Sequence, residues 1–159
     1  MRAEVFRLRV AELGQLLGKP DLPVNDGQVC SIQVNESCWV HISYDAEHDR
    51  VHWTALVGSV VGAGHASLFR HLLRCNMQRA LTAGGYFGVS ELTDAITYCY
   101  HEPLETLHAQ RFGAVFESFS GMATYWTARL AERAARQNAV DESVATASAG
   151  DPGALINRA

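Results

Sequence analysis

The sequence predicts an α+β domain: one twisted antiparallel sheet with helices packed on it, in the order helix, three strands, helix, two strands, helix. Three observations carry this. Apolar residues recur at helical spacing in three long segments, near the start, middle and end of the chain. Between those segments the pattern switches to strict alternation, the period of a half-buried strand. The connections between consecutive strands are short and polar, which joins antiparallel neighbours and leaves no room for crossovers. With 159 residues, the chain is of a size for one domain with its own core.

Residues 2–17 read as an amphipathic helix, with Phe6, Val10, Leu13 and Leu17 at helical spacing and Val5, Leu8 and Leu16 widening the stripe. Gly18, Pro20 and Pro23 end it, and Asn25-Asp26-Gly27 is turn chemistry. Residues 28–34 alternate, with Cys30, Ile32 and Val34 on one face. Residues 37–44 place Cys38, Val40, Ile42 and Tyr44 together, and 50–57 do the same with Val51, Trp53, Ala55 and Val57. Residues 58–64 are a glycine-rich connection. A second helix is expected over 65–83, stopped by Gly84-Gly85 as by a left-handed cap. Two short strands follow at 86–90 and 95–101. The last helix is expected from about Pro103 to Gln137, with Phe112, Phe116, Phe119, Ala123 and Trp126 in its stripe. Residues 138–159 carry no aromatic residue and many Ala, Ser, Asp and Gly; they are expected to form a disordered tail beyond a domain of 1–137.

Composition narrows the function. Apolar residues make up 48% of the chain and charged ones 19%, too apolar for a disordered protein. No window approaches an uninterrupted membrane span, so no membrane insertion is expected. Arg2, Glu4, Arg7 and Arg9 interrupt the first helix, which therefore lacks the apolar run of a signal peptide. The net charge of −4 argues against nucleic acid as a partner. Cys30, Cys38, Cys75 and Cys99 form no C-x-x-C and read as small buried thiols in a reducing compartment.

A search for catalytic patterns finds little. Gly58-Ser59-Val60-Val61-Gly62 has one residue too many for a nucleophile elbow. The glycine-rich stretch before His65 lacks the Lys followed by Ser or Thr of a phosphate loop. His48 and His52 are four apart but flank a turn, so they do not share a helix face as zinc ligands would. Neither an enzyme, a cofactor nor a metal is expected.

Several segments together resemble a known family. Leu68-Phe69-Arg70-His71-Leu72-Leu73-Arg74-Cys75-Asn76-Met77 is similar to the LL-x-x-LL-x-x-N helix of class I type III secretion chaperones, the Tir chaperone (CesT/SycE-like) family. Gly84-Gly85-Tyr86-Phe87-Gly88-Val89 resembles its glycine-led strand. Ala95 to Tyr100 with Glu102-Pro103-Leu104 resembles its last strand and turn, and Phe112, Phe116, Phe119, Ala123 and Trp126 match its closing helix. The resemblance spans about residues 2–132. It implies a cytosolic homodimer that binds the N-terminal segment of secreted effector proteins in extended form and delivers the complex to the secretion ATPase. It further implies effector grooves from the first helix and early strands, here Val5, Leu8, Leu16, Ile32, Val34, Val40 and Ile42. The implied dimer contact comes from the second helix and fourth strand, here Leu72, Met77, Leu81, Tyr86 and Phe87. The alternative is a dimeric adaptor or regulatory module of the same fold with a folded partner.

Overall fold

The computed structural model describes residues 1–60 and 65–149. The elements are α1 (Arg2–Leu16), β1 (Val29–Asn35), β2 (Cys38–Asp45), β3 (Arg50–Ser59), α2 (His65–Met77), β4 (Tyr86–Val89), β5 (Ala95–Pro103) and α3 (Ala109–Ala149). The five strands form one sheet in the order β1-β2-β3-β5-β4, and every neighbouring pair is antiparallel. The order and type of all eight elements match the expectation from periodicity.

One face of the sheet is covered. Cys30, Ile32, Val40, Ile42, Val51, Trp53, Ala55, Ile96 and Tyr98 point into a core closed by Phe6, Val10 and Leu13 of α1 and by Phe112, Phe116, Phe119 and Trp126 of α3. Tyr98 stacks on Phe119 with ring centroids 4.8 Å apart, and its hydroxyl donates to the Thr82 carbonyl. Burial raises the Tyr98 phenol to about 12, so it stays a neutral donor. Gly85 leaves the room this ring needs, since a Cβ there would meet Tyr98 at 2.5 Å.

The helix ends follow local chemistry. α1 closes with Gly18 in the left-handed region (φ 66°) and with bonds from Gly18 N–H to Gln15 C=O and from Lys19 N–H to Gly14 C=O, a Schellman cap. α2 stops at Met77, earlier than expected. Residues 78–84 are turns that end on Gly84, whose φ is 86° as a left-handed position requires. Pro103 belongs to β5 and not to the last helix; a short turn at Leu104–Thr106 intervenes. The side chain of His108 then accepts from the Arg111 N–H (3.3 Å) and caps α3. α3 does not stop near Gln137. It runs on to Ala149 through residues expected to be a tail. Alanine is the best helix former, so the alanine-rich segment propagates the helix without an apolar stripe.

Candidate peptide-binding surfaces

α1 and α3 cross above the end of β1 and leave a groove of about 1070 Å³ between them. Its apolar wall comes from Leu16 and Leu17 of the last α1 turn and its cap, Val34 of β1, and Gly113, Ala114 and Phe116 of α3. Leu16 is 70% exposed, although it sits between two helices. Gly113 lets it lie down, since a Cβ there would stand 3.2 Å from the Leu16 Cδ1.

The groove adjoins a sheet edge. Residues 24–25 cover the beginning of β1: Asn25 N–H donates to Val29 C=O (3.0 Å), and Val24 bridges Cys30. The backbone of Val29 therefore points away from β2. By strand alternation the N–H and C=O of Ser31 and Gln33 point the same way, the Ser31 N–H toward Pro23 C=O within the Val24–Cys30 bridge, which leaves Ser31 C=O and both groups of Gln33. Beyond the bridge at Cys30, no strand among the described residues pairs with this side of β1. Donors and acceptors there are offered to a further strand.

The opposite edge is blocked at Phe87. The Asn76 carboxamide of α2 accepts from Phe87 N–H (2.7 Å) and donates to Phe87 C=O (3.1 Å). Both edge-facing groups of Phe87 are thus satisfied by a side chain that mimics a neighbouring strand. Beside this contact α2 presents an apolar face. Leu72 and Cys75 are its buried residues, whereas Phe69, Leu73 and Met77 lie exposed with Val89 of β4 alongside; Tyr86 projects from the other face of the sheet, its ring 6.0 Å from His101. A hollow of about 260 Å³ opens among Phe69, Leu73 and Val89.

The uncovered face of the sheet carries His41, His52 and His101 together with the exposed side chains of Trp39, Leu56 and Tyr86. Ser31 Oγ and His41 Nδ1 are 2.8 Å apart, and the rings of His52 and His101 face each other at 5.5 Å across β3 and β5. Burial, with Arg50 and His52 nearby, lowers the His101 imidazole below its ordinary value. Among the described residues no three His, Cys, Asp or Glu side chains are placed to hold a metal ion. Burial pushes the Cys30 and Cys99 thiols up to about 11, away from the thiolate form a nucleophile needs.

The residues implied by the resemblance divide in two. Leu8, Leu16 and Val34 are exposed and Val5 is half-buried. Ile32, Val40 and Ile42 are core residues, fully or almost fully buried. Their strand parity turns them toward α1 and α3, so they line no open groove in this chain. Of the implied dimer residues, Met77, Leu81 and Tyr86 are exposed, and Leu72 and Phe87 are buried between α2 and β4. Leu17 and Phe116 in the groove, and Phe69, Leu73 and Val89 on the α2 face, carry no binding role in the sequence reading. Leu72-Leu73 held a usable signal: adjacent helical residues cannot both face the core.

A half-covered sheet with one open edge, an apolar groove beside it and an unpartnered helix face defines a small protein-binding module. The model of the Tir chaperone protein (CesT) family matches residues 9–127, and the chain belongs to that family. Among solved structures it is similar to a chain of the ExsC–ExsE complex, with 25% identity and a TM-score of 0.67 over 80% of this chain and 93% of that one. It has the same fold as a chain of the HopA1–SchA chaperone–effector complex, at 15% identity, a TM-score of 0.67, and coverage of 79% and 94%. It also shares the fold of a chain in the structure of the Yersinia pestis type III secretion chaperone SycH with a fragment of YscM2, at 14% identity, a TM-score of 0.59, and coverage of 79% and 99%. No curated protein sequence matches it significantly.

Proposed function

We propose that the protein is a cytoplasmic type III secretion chaperone that works as a homodimer and catalyses no reaction. It holds the N-terminal segment of a secreted effector in extended form, keeps it soluble and delivers it to the secretion ATPase. The observation that carries this reading is the open β1 edge beside the groove of Leu16, Leu17, Val34 and Phe116. An extended segment that pairs with Ser31 and Gln33 sends alternate side chains toward that groove. Affinity then comes from apolar area at roughly 25 cal/mol per Å² spread along the segment, together with backbone bonds. Family membership and the chaperone–effector complex among its structural relatives support the reading. No described helix is long and apolar enough to cross a membrane, in keeping with a chaperone that meets its client before export. The second copy is assigned to the face of Phe69, Leu73, Met77, Leu81 and Val89, with Tyr86 at its margin on the other side of β4.

The test is co-expression with the N-terminal ~100 residues of a secreted protein encoded beside it, a segment without a compact fold of its own. A stable complex in which the Gln33 amide becomes protected from hydrogen exchange is expected. A complex that leaves the Gln33 amide unprotected refutes the proposed mode, and failure to bind any such segment refutes the function.

A further inference from the structure

α2 is lightly anchored. Of its thirteen residues only Leu72 and Cys75 are buried, and Arg133 of α3 donates to Ser67 at its first turn (2.8 Å). Asn76 adds a polar tie to the sheet, the pair of bonds to Phe87. Asn76 directly precedes Met77, which is 85% exposed, and stands one turn from Leu73. Phe87 lies between Tyr86 and Val89 in β4. The bidentate carboxamide therefore fixes the helical and the strand parts of the apolar face relative to each other. It also consumes the edge-facing backbone of Phe87, so a sheet cannot continue through that residue into another chain.

We propose that Asn76 is a positioning residue for self-association: it locks α2 to β4, so that two copies join through side chains of α2 and β4 and not through a sheet extended across β4. The inference rests on the homodimer reading above. Two neutral hydrogen bonds of ordinary strength correspond to about a tenfold to hundredfold change in an equilibrium constant.

Sedimentation equilibrium of the wild type, Asn76→Ala and Asn76→Asp tests it, with hydrogen exchange read at the Phe87 amide. Asn76→Ala is expected to raise the dimer dissociation constant by about tenfold or more and to leave the Phe87 amide fast-exchanging. Asn76→Asp keeps the acceptor and loses the donor, and should fall between. Thermal unfolding at dilutions where all three are monomers should shift far less than dimer affinity. That split separates positioning from a general loss of stability. If Asn76→Ala does not fold, Asn76→Asp decides alone. Wild-type affinity in the variants overturns the lock and leaves the dimer standing. A Phe87 amide still protected in the Asn76→Ala dimer overturns it too, because strand pairing has replaced the side chain. A wild type that stays monomeric at micromolar concentration overturns the homodimer and the lock together.

Discussion

Replacing Leu73 by Asp should separate association from folding. Leu73 is 64% exposed in the protomer, while its neighbour Leu72 is 3% exposed. Complete burial of a leucine side chain stabilises by about 1.5–3 kcal/mol. With two thirds of Leu73 still accessible, contact with a partner gains about 1–2 kcal/mol per protomer on the same scale. A two-fold interface uses each residue twice, so the dimer loses about 2–4 kcal/mol when Leu73 is removed. That is roughly a 30-fold to 1,000-fold rise in the dissociation constant, before any repulsion between the two new carboxylates. The protomer itself should lose about 1–2 kcal/mol, from the helix-propensity cost of aspartate and the third of Leu73 already buried. Light scattering across a dilution series measures the first quantity, and thermal unfolding of the dilute protein the second. An unchanged dissociation constant refutes the assignment of this face. Leu72→Asp is the counterpart: it buries a charge against Phe87 and should unfold the chain outright.

Leu16→Asp or Val34→Lys should abolish client capture with less than about 1 kcal/mol lost from the fold, because both side chains are already exposed; equal capture by both variants in a pull-down would remove the groove from the mechanism. Ile42→Ala should cost about 2–5 kcal/mol in urea unfolding, because Ile42 is fully buried, and any effect on client binding should track that loss. Glu102→Gln weakens a charge-assisted set of bonds, from Arg111 Nη2 (2.9 Å), Arg111 Nε (3.1 Å) and the Tyr100 hydroxyl (2.9 Å), and should cost about 1–3 kcal/mol at neutral pH. Burial alone would raise the Glu102 carboxyl, but the bonds from Arg111 and Tyr100 outweigh it and hold the group below its ordinary value. Its stabilisation is therefore complete above the ordinary glutamate range and is lost as pH falls through the depressed folded value. Unfolding curves of the wild type and Glu102→Gln should draw together on acidification; a gap that widens toward acid pH contradicts this sign.

Much of the fold was legible because alternation and helical spacing are strong where one face is covered. Trp53, Ala55 and Val57 could be placed on one face of β3 from spacing alone, and they are buried together. Element ends were harder. Pro103 looked like a helix start, yet its extended backbone closes β5, and a histidine supplies the cap that a Ser or Asp would have advertised. The last helix outran its stripe, through a segment whose alanines favour helix where the aromatic spacing has ended. The surfaces were only partly readable. Parity shows that Ile32, Val40 and Ile42 share a face, but not that α1 and α3 seal it. The closing of the β4 edge depends on a side chain eleven positions away in sequence, a relation that no local pattern announces.

The two rims of the sheet are unequal, one stoppered by a carboxamide and the other bare over its second half. Had both been bare, copies could have queued rim to rim without limit, as fibrils grow. A single bare rim permits one neighbour and then stops. A molecule whose work is to handle unfolded guests is thereby kept from templating its own chain growth.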